Sequence, residues 1–142
     1  MGSVHGEEVN LSVRFVRLGT PRHPKEGLRL GTVRRPPRGV RKEEFASRDY
    51  FDVWVPELAP SAAVVKWAHA EPWTAKRWID YKHRYLREMR SPGAKRLLEM
   101  LAALSRQTNF SVGCYCADET RCHRSLLKKL LIETGAMVIG QS

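Results

Sequence analysis

The stretch that most limits what this chain can fold into runs from residue 109 to residue 131. Residues 109–115 form a short apolar run that reads as a buried strand. Beyond a polar loop, Leu126, Leu127, Leu130 and Leu131 take up helical spacing. A strand that feeds a helix through a short loop belongs to a parallel crossover, which requires further strands beside it. The rest of the sequence supplies them. Residues 11–18 alternate with period two, and residues 28–33 form a second extended run stopped by Pro36, Pro37 and Gly39. Residues 51–55 are short and extended, and residues 136–139 read as a final strand. Helices are expected after the cap at Ser61, from a first turn containing Pro72, and after the cap at Ser91. The second carries a stripe of Trp78, Tyr81, Tyr85 and Met89, widened by Ile79 and Leu86. The third turns Ala94, Leu97, Leu98, Leu101 and Leu104 to the core, and Gly135 ends the last helix. The expectation is a single α/β domain over residues 11–142 with a largely parallel sheet, preceded by a disordered polar segment, 1–10.

All three cysteines fall in the strand-to-helix connection, as Cys114, Cys116 and Cys122, followed by His123 and flanked by Arg121 and Arg124. Ligands of parallel sheets bind beyond the carboxyl ends of the strands, where this loop and residues 34–39 both emerge. A helix start exposes N–H groups and the positive end of the dipole, which attract an anion and favour a thiolate. Cys114, Cys122 and His123 are therefore the candidate catalytic groups. Arg34, Arg38, Arg121 and Arg124 are the candidate ligand-binding groups, able to clamp a phosphate or carboxylate. His123 also fits the apolar stripe of its own helix, so packing, acid–base work and metal ligation all stay open for it. Cys116 suits the role of a small buried hydrophobe opposite Tyr115.

Several chemistries are excluded or disfavoured by spacing. Neither Cys114 nor Cys116 is followed by five residues and then an arginine, as a phosphatase loop needs (Arg121 comes after six and four), and there is no Walker or G-x-G-x-x-G sequence. No G-x-S-x-G elbow is present. The cysteines lack paired C-x₂-C spacing, so no metal ligand and no cofactor are assigned, with zinc kept as a second alternative. The spacing names no reaction, substrate or oligomeric state.

Charge bears on partners. The chain carries a net +10, and residues 14–42 hold ten Lys or Arg against Glu26 alone. That field suits an anionic small molecule, phosphate- or nucleotide-like, with nucleic acid as the alternative partner. No apolar run approaches a membrane span. An odd cysteine count without an export signal points to the cytoplasm, with any Cys114–Cys122 or Cys116–Cys122 disulfide transient.

The same residues resemble the YeaO-like domain family, family number 488. Cys114 is followed at the family spacing by Cys122-His123-Arg124-Ser125-Leu126. Arg34 with Pro37-Arg38-Gly39 is similar to the family's second element. Leu58-Ala59-Pro60-Ser61, Lys66-Trp67 and Tyr85-Leu86-Arg87-Glu88 extend the likeness over nearly all of the chain after residue 12. The resemblance implies a compact three-layer sandwich and marks Cys114, Cys122, His123 and Arg124 as site positions. Two departures stand out: Val33 where the family commonly has Asp, and Cys116 where it often has Glu.

Overall fold

Four short strands, β1 (Val13–Arg17), β2 (Leu28–Gly31), β3 (Val53–Trp54) and β4 (Phe110–Cys114), pair in the order β1-β4-β2-β3 in a computed structural model that describes residues 12–118 and 121–139. Every pairing is parallel. The last strand in the chain is thus inserted between the first two, with Phe15 and Leu30 both opposite Val112. Residues 136–139 contribute only a parallel bridge, Val13 to Val138, instead of a full strand. The expected disorder of residues 1–10 lies outside the described residues.

Among the described residues the α-helices are α1 (Ala62–His69), α2 (Ala75–Glu88), α3 (Pro92–Leu104) and α4 (His123–Thr134). Local chemistry sets their ends. Ser61, Thr74 and Ser91 each accept an N–H of the first turn through a side-chain oxygen. Gly135 closes α4 in the left-handed conformation at φ 105°, where a Cβ would be strained. Pro72 lies ahead of the Thr74 cap, not inside the first turn of α2.

The two sheet faces are covered differently, giving three layers. Val13, Phe15, Leu30, Phe110 and Val112 share one face and pack into a core with Val64, Tyr81, Tyr85, Leu98, Leu101, Leu127 and Leu131 from the helices. The other face carries Arg29, Gly31, Ser111 and Gly113 and is covered by segments 18–27 and 42–52, which include a 3-10 turn at Lys42–Glu44. Two stripe positions stay outside the core: Ile79 is 50% exposed and Leu104 39%. No helix among the described residues is long and apolar enough to cross a membrane.

The second face holds a buried ion pair beside a smaller apolar cluster of Leu18, Val33 and Phe51. Arg29 is fully buried and Glu26 nearly so, with Arg29 Nε 2.5 Å from Glu26 Oε2. Arg29 Nη1 also donates to the carbonyls of Thr20 and Asp49, at 2.9 and 2.8 Å, and Ser111 Oγ donates to Glu26 at 2.6 Å. One guanidinium thereby ties β2 to two loops, while its carboxylate partner ties the pair to β4. Gly27 prepares the turn into β2. Its φ is 73°, and a Cβ there would collide with the backbone oxygen of Asn109. Gly27→Ala is expected to cost about 2–4 kcal/mol, combining left-handed strain with overpacking against an atom that cannot rotate away. Urea denaturation checks this, and a loss below about 1 kcal/mol would mean that the backbone relaxes.

Candidate functional site

Cys114 ends β4 and Cys122 caps α4, so the loop between them returns the chain to the strand end it left. Both are buried, and their sulfurs lie 2.9 Å apart. Cys116 is exposed, yet its sulfur joins them: all three Sγ atoms lie within 4.8 Å of one another. The expectation of Cys116 as a buried hydrophobe therefore does not describe its place in the fold. Hydrogen bonds from Cys114 and Cys122 draw the Cys116 thiol down to about 3, with His123 and Arg124 adding to the effect against the opposing cost of burial. Donating toward Cys116 lifts Cys114 to about 11. Cys122 is pushed up further by its bonds to Cys114 and then Cys116, with burial added. The opposed directions favour negative charge on Cys116, with Cys114 and Cys122 as donors to it.

His123, the first residue of α4, is buried beside these sulfurs. Its Nε2 lies 2.6 Å from the carbonyl oxygen of Thr32 and its Nδ1 3.6 Å from Cys122 Sγ. Burial first, and then the charge of Arg124, hold the ring below its usual range despite the Thr32 bond and the Cys116 charge. A neutral ring that donates from Nε2 keeps the lone pair of Nδ1 for the cluster. Tyr81 of α2 faces the same centre. Its phenol is raised by burial and then by Cys122, Cys116 and Cys114, and it accepts a bond from the His123 backbone. Helical periodicity marks Tyr81 as core, which it is. Nothing in the sequence signals that its polar tip lies within electrostatic reach of the cysteines.

The arginines divide. Arg124 is buried, with Nη2 3.4 Å from the Cys116 carbonyl, so it sits inside the turn. Arg121 and Arg38 are exposed. Arg34 turns its Nε and Nη2 to the carbonyls of Pro60, Pro56 and Ala59, at 2.9, 3.0 and 3.3 Å, which anchors its loop to the segment ahead of α1.

The two loops do meet, through backbone oxygens. Three ring side chains hold almost successive carbonyls of the segment after β2. His123 holds Thr32, Trp54 Nε1 donates to Val33 at 2.8 Å, and the Tyr115 hydroxyl donates to Arg35 at 2.9 Å. Those rings come from α4, β3 and the cysteine loop. Pro36 and Pro37 carry no N–H, so this segment cannot pair as a strand, and side chains shape it instead.

A family model, DUF488-N3a, described as the active DUF488-N3 subclade, matches residues 13–135. That span takes in all four strands, all four helices and the whole cysteine cluster. No curated protein and no solved structure gives a significant match.

Proposed function

The chain belongs to the DUF488 (YeaO-like) family, and on that footing we propose that it is a metal–thiolate protein holding a zinc-class ion on Cys114, Cys116 and Cys122. The observation that carries this reading is the convergence of three sulfurs within 4.8 Å. Tetrahedral zinc with bonds of about 2.3 Å spaces its sulfurs by about 3.8 Å, so the cluster needs only a small opening between Cys114 and Cys122. A divalent cation would also remove the repulsion that keeps two of the three thiols protonated. His123 supplies the support such centres use, because its Nε2 is tied to a backbone carbonyl and its Nδ1 faces Cys122. The fourth position falls to Nδ1 or to an incoming anion, and Arg121 and Arg124 favour the anion. Elemental analysis of protein purified without chelator is expected to give one zinc per chain. Cobalt substitution should add sulfur-to-metal charge-transfer absorption. A metal-free chain that takes up neither ion would sink the reading.

The exposure of Cys116 favours a second reading, in which it is a nucleophilic thiolate backed by Cys114 and Cys122, and an anionic substrate sits at the start of α4. Timed alkylation separates the two. In the metal reading all three cysteines are protected until a chelator is added, after which Cys116 reacts first. Rapid labelling of Cys116 in protein as purified supports the thiolate.

A further inference from the structure

We infer that Trp54, Tyr115 and the basic loop 33–42 form a stacking platform for single-stranded nucleic acid beside the cysteine centre. Trp54 is 43% exposed and Tyr115 37%, although each has its polar tip engaged with the chain's own backbone. What they leave to solvent is chiefly ring. Tyr115 is further fixed by an edge contact to Tyr50 at 6.5 Å, and Arg17 Nε donates to its carbonyl at 3.2 Å. Rings that are exposed and already immobile lose little freedom on binding a flat partner.

The two carbonyls that hold these rings, Val33 and Arg35, are two residues apart, at most about 7 Å along the chain. The platform is therefore continuous with the loop that carries Arg35, Arg38, Arg41 and Lys42. Arg41 meets Glu43 only in an exposed pair at 3.5 Å. Arg35, Arg38 and Lys42 have no acid partner among the described residues. Unpaired cations next to fixed π-faces match a chain that alternates phosphate with base. An acidic peptide would satisfy the arginines but not the rings, and a bare phosphate has no π-face. The four cations of this loop, Arg35, Arg38, Arg41 and Lys42, also exceed what one phosphate can use.

The platform stands apart from the metal reading, because none of its side chains is a proposed ligand. Fluorescence anisotropy with labelled oligo-dT and oligo-rU of about 12 nucleotides, between about 50 and 200 mM salt, tests it. Both strands are expected to bind, with affinity falling steeply with salt. Trp54→Leu and Tyr115→Leu should each weaken binding about 5- to 100-fold, while Trp54→Phe and Tyr115→Phe, which keep a ring but lose its bond to Val33 or Arg35, should fall between those variants and the native chain. Arg35→Gln and Arg38→Gln should each lower the salt slope by about one. Thermal melts and metal content, measured on every variant, distinguish loss of the platform from loss of fold or of the metal site. Binding that needs the arginines but ignores the rings would reduce the surface to general electrostatic adhesion and overturn the platform. So would competition by AMP as effective as that by the strand, or no binding at low salt.

Discussion

Replacing Arg29 by Met is expected to remove about 3–5 kcal/mol of stability, because it leaves Glu26 charged and buried with its main partner gone. For a chain of this length that corresponds to a drop of about 10–20 °C in Tm. The loss extends beyond one ion pair, since the carbonyls of Thr20 and Asp49 lose their donor in the same step. Adding Glu26→Leu to Arg29→Met should cost much less than the same change in the native chain, since no charge is then left alone. Additive losses in that double-mutant cycle would show that the pair is not coupled. The pair also sets an acid limit. Burial raises the Glu26 carboxyl, but bonds from Arg29, Ser111 and the His23 backbone outweigh it and hold the group below its ordinary 4.5. A lowered folded-state value means that its stabilisation is complete above that ordinary value and is lost as pH falls through the folded one. Below about pH 4.5 the native chain should therefore lose stability more steeply than Glu26→Gln. Parallel acid profiles would remove Glu26 from the account.

Cys114→Ser and Cys122→Ser are each expected to weaken zinc binding more than the 10- to 100-fold typical for losing a group outside the ligand set (about 1.4–2.7 kcal/mol). Each removes a buried sulfur from a three-sulfur cluster. His123→Gln should fall within that 10- to 100-fold range, through loss of the Thr32 anchor and of Nδ1. Stability gives a second readout. Free zinc at about a hundred times its Kd should stabilise the native chain by about 2.7 kcal/mol and raise its Tm, whereas Cys114→Ser should show no zinc-dependent shift. Equal shifts in native and variant chains would place the ion elsewhere on the surface.

Much of the scaffold was readable because its signals are local. The switch from strand to helix across residues 109–131, the caps at Ser61 and Ser91, and the stop at Gly135 each depend on neighbours a few residues away. The family likeness read from Cys114, Cys122-His123-Arg124 and the Pro37-Arg38-Gly39 element is upheld by the match over residues 13–135. What escaped depends on distant partners. Ile79 and Leu104 satisfy the period of their helices, but the described residues leave both substantially exposed. Residues 136–139 look extended, yet only Val138 bridges Val13. In the site, alternation could place Cys114 but could not show that the irregular loop folds Cys116 back toward it. An isolated Arg34 looks like an anion ligand until the carbonyls of Pro56, Ala59 and Pro60 are seen to occupy it. Trp54 and Tyr115 gave no sign of reaching the same segment, since they lie 61 residues apart.

The carbonyls of Thr32, Val33 and Arg35 rest on rings from three remote parts of the chain. Beyond the anchor that Arg34 supplies, the course of that segment is thereby set by residues outside it. Arg35, Arg38 and Arg41 can change residue without changing path, so long as His123, Trp54 and Tyr115 remain, whereas Gly39 at φ 72° cannot. The arrangement resembles a fixed rail with exchangeable fittings. Diversity of ligand preference can collect on the segment itself, while the constraint that keeps its shape is stored elsewhere in the gene.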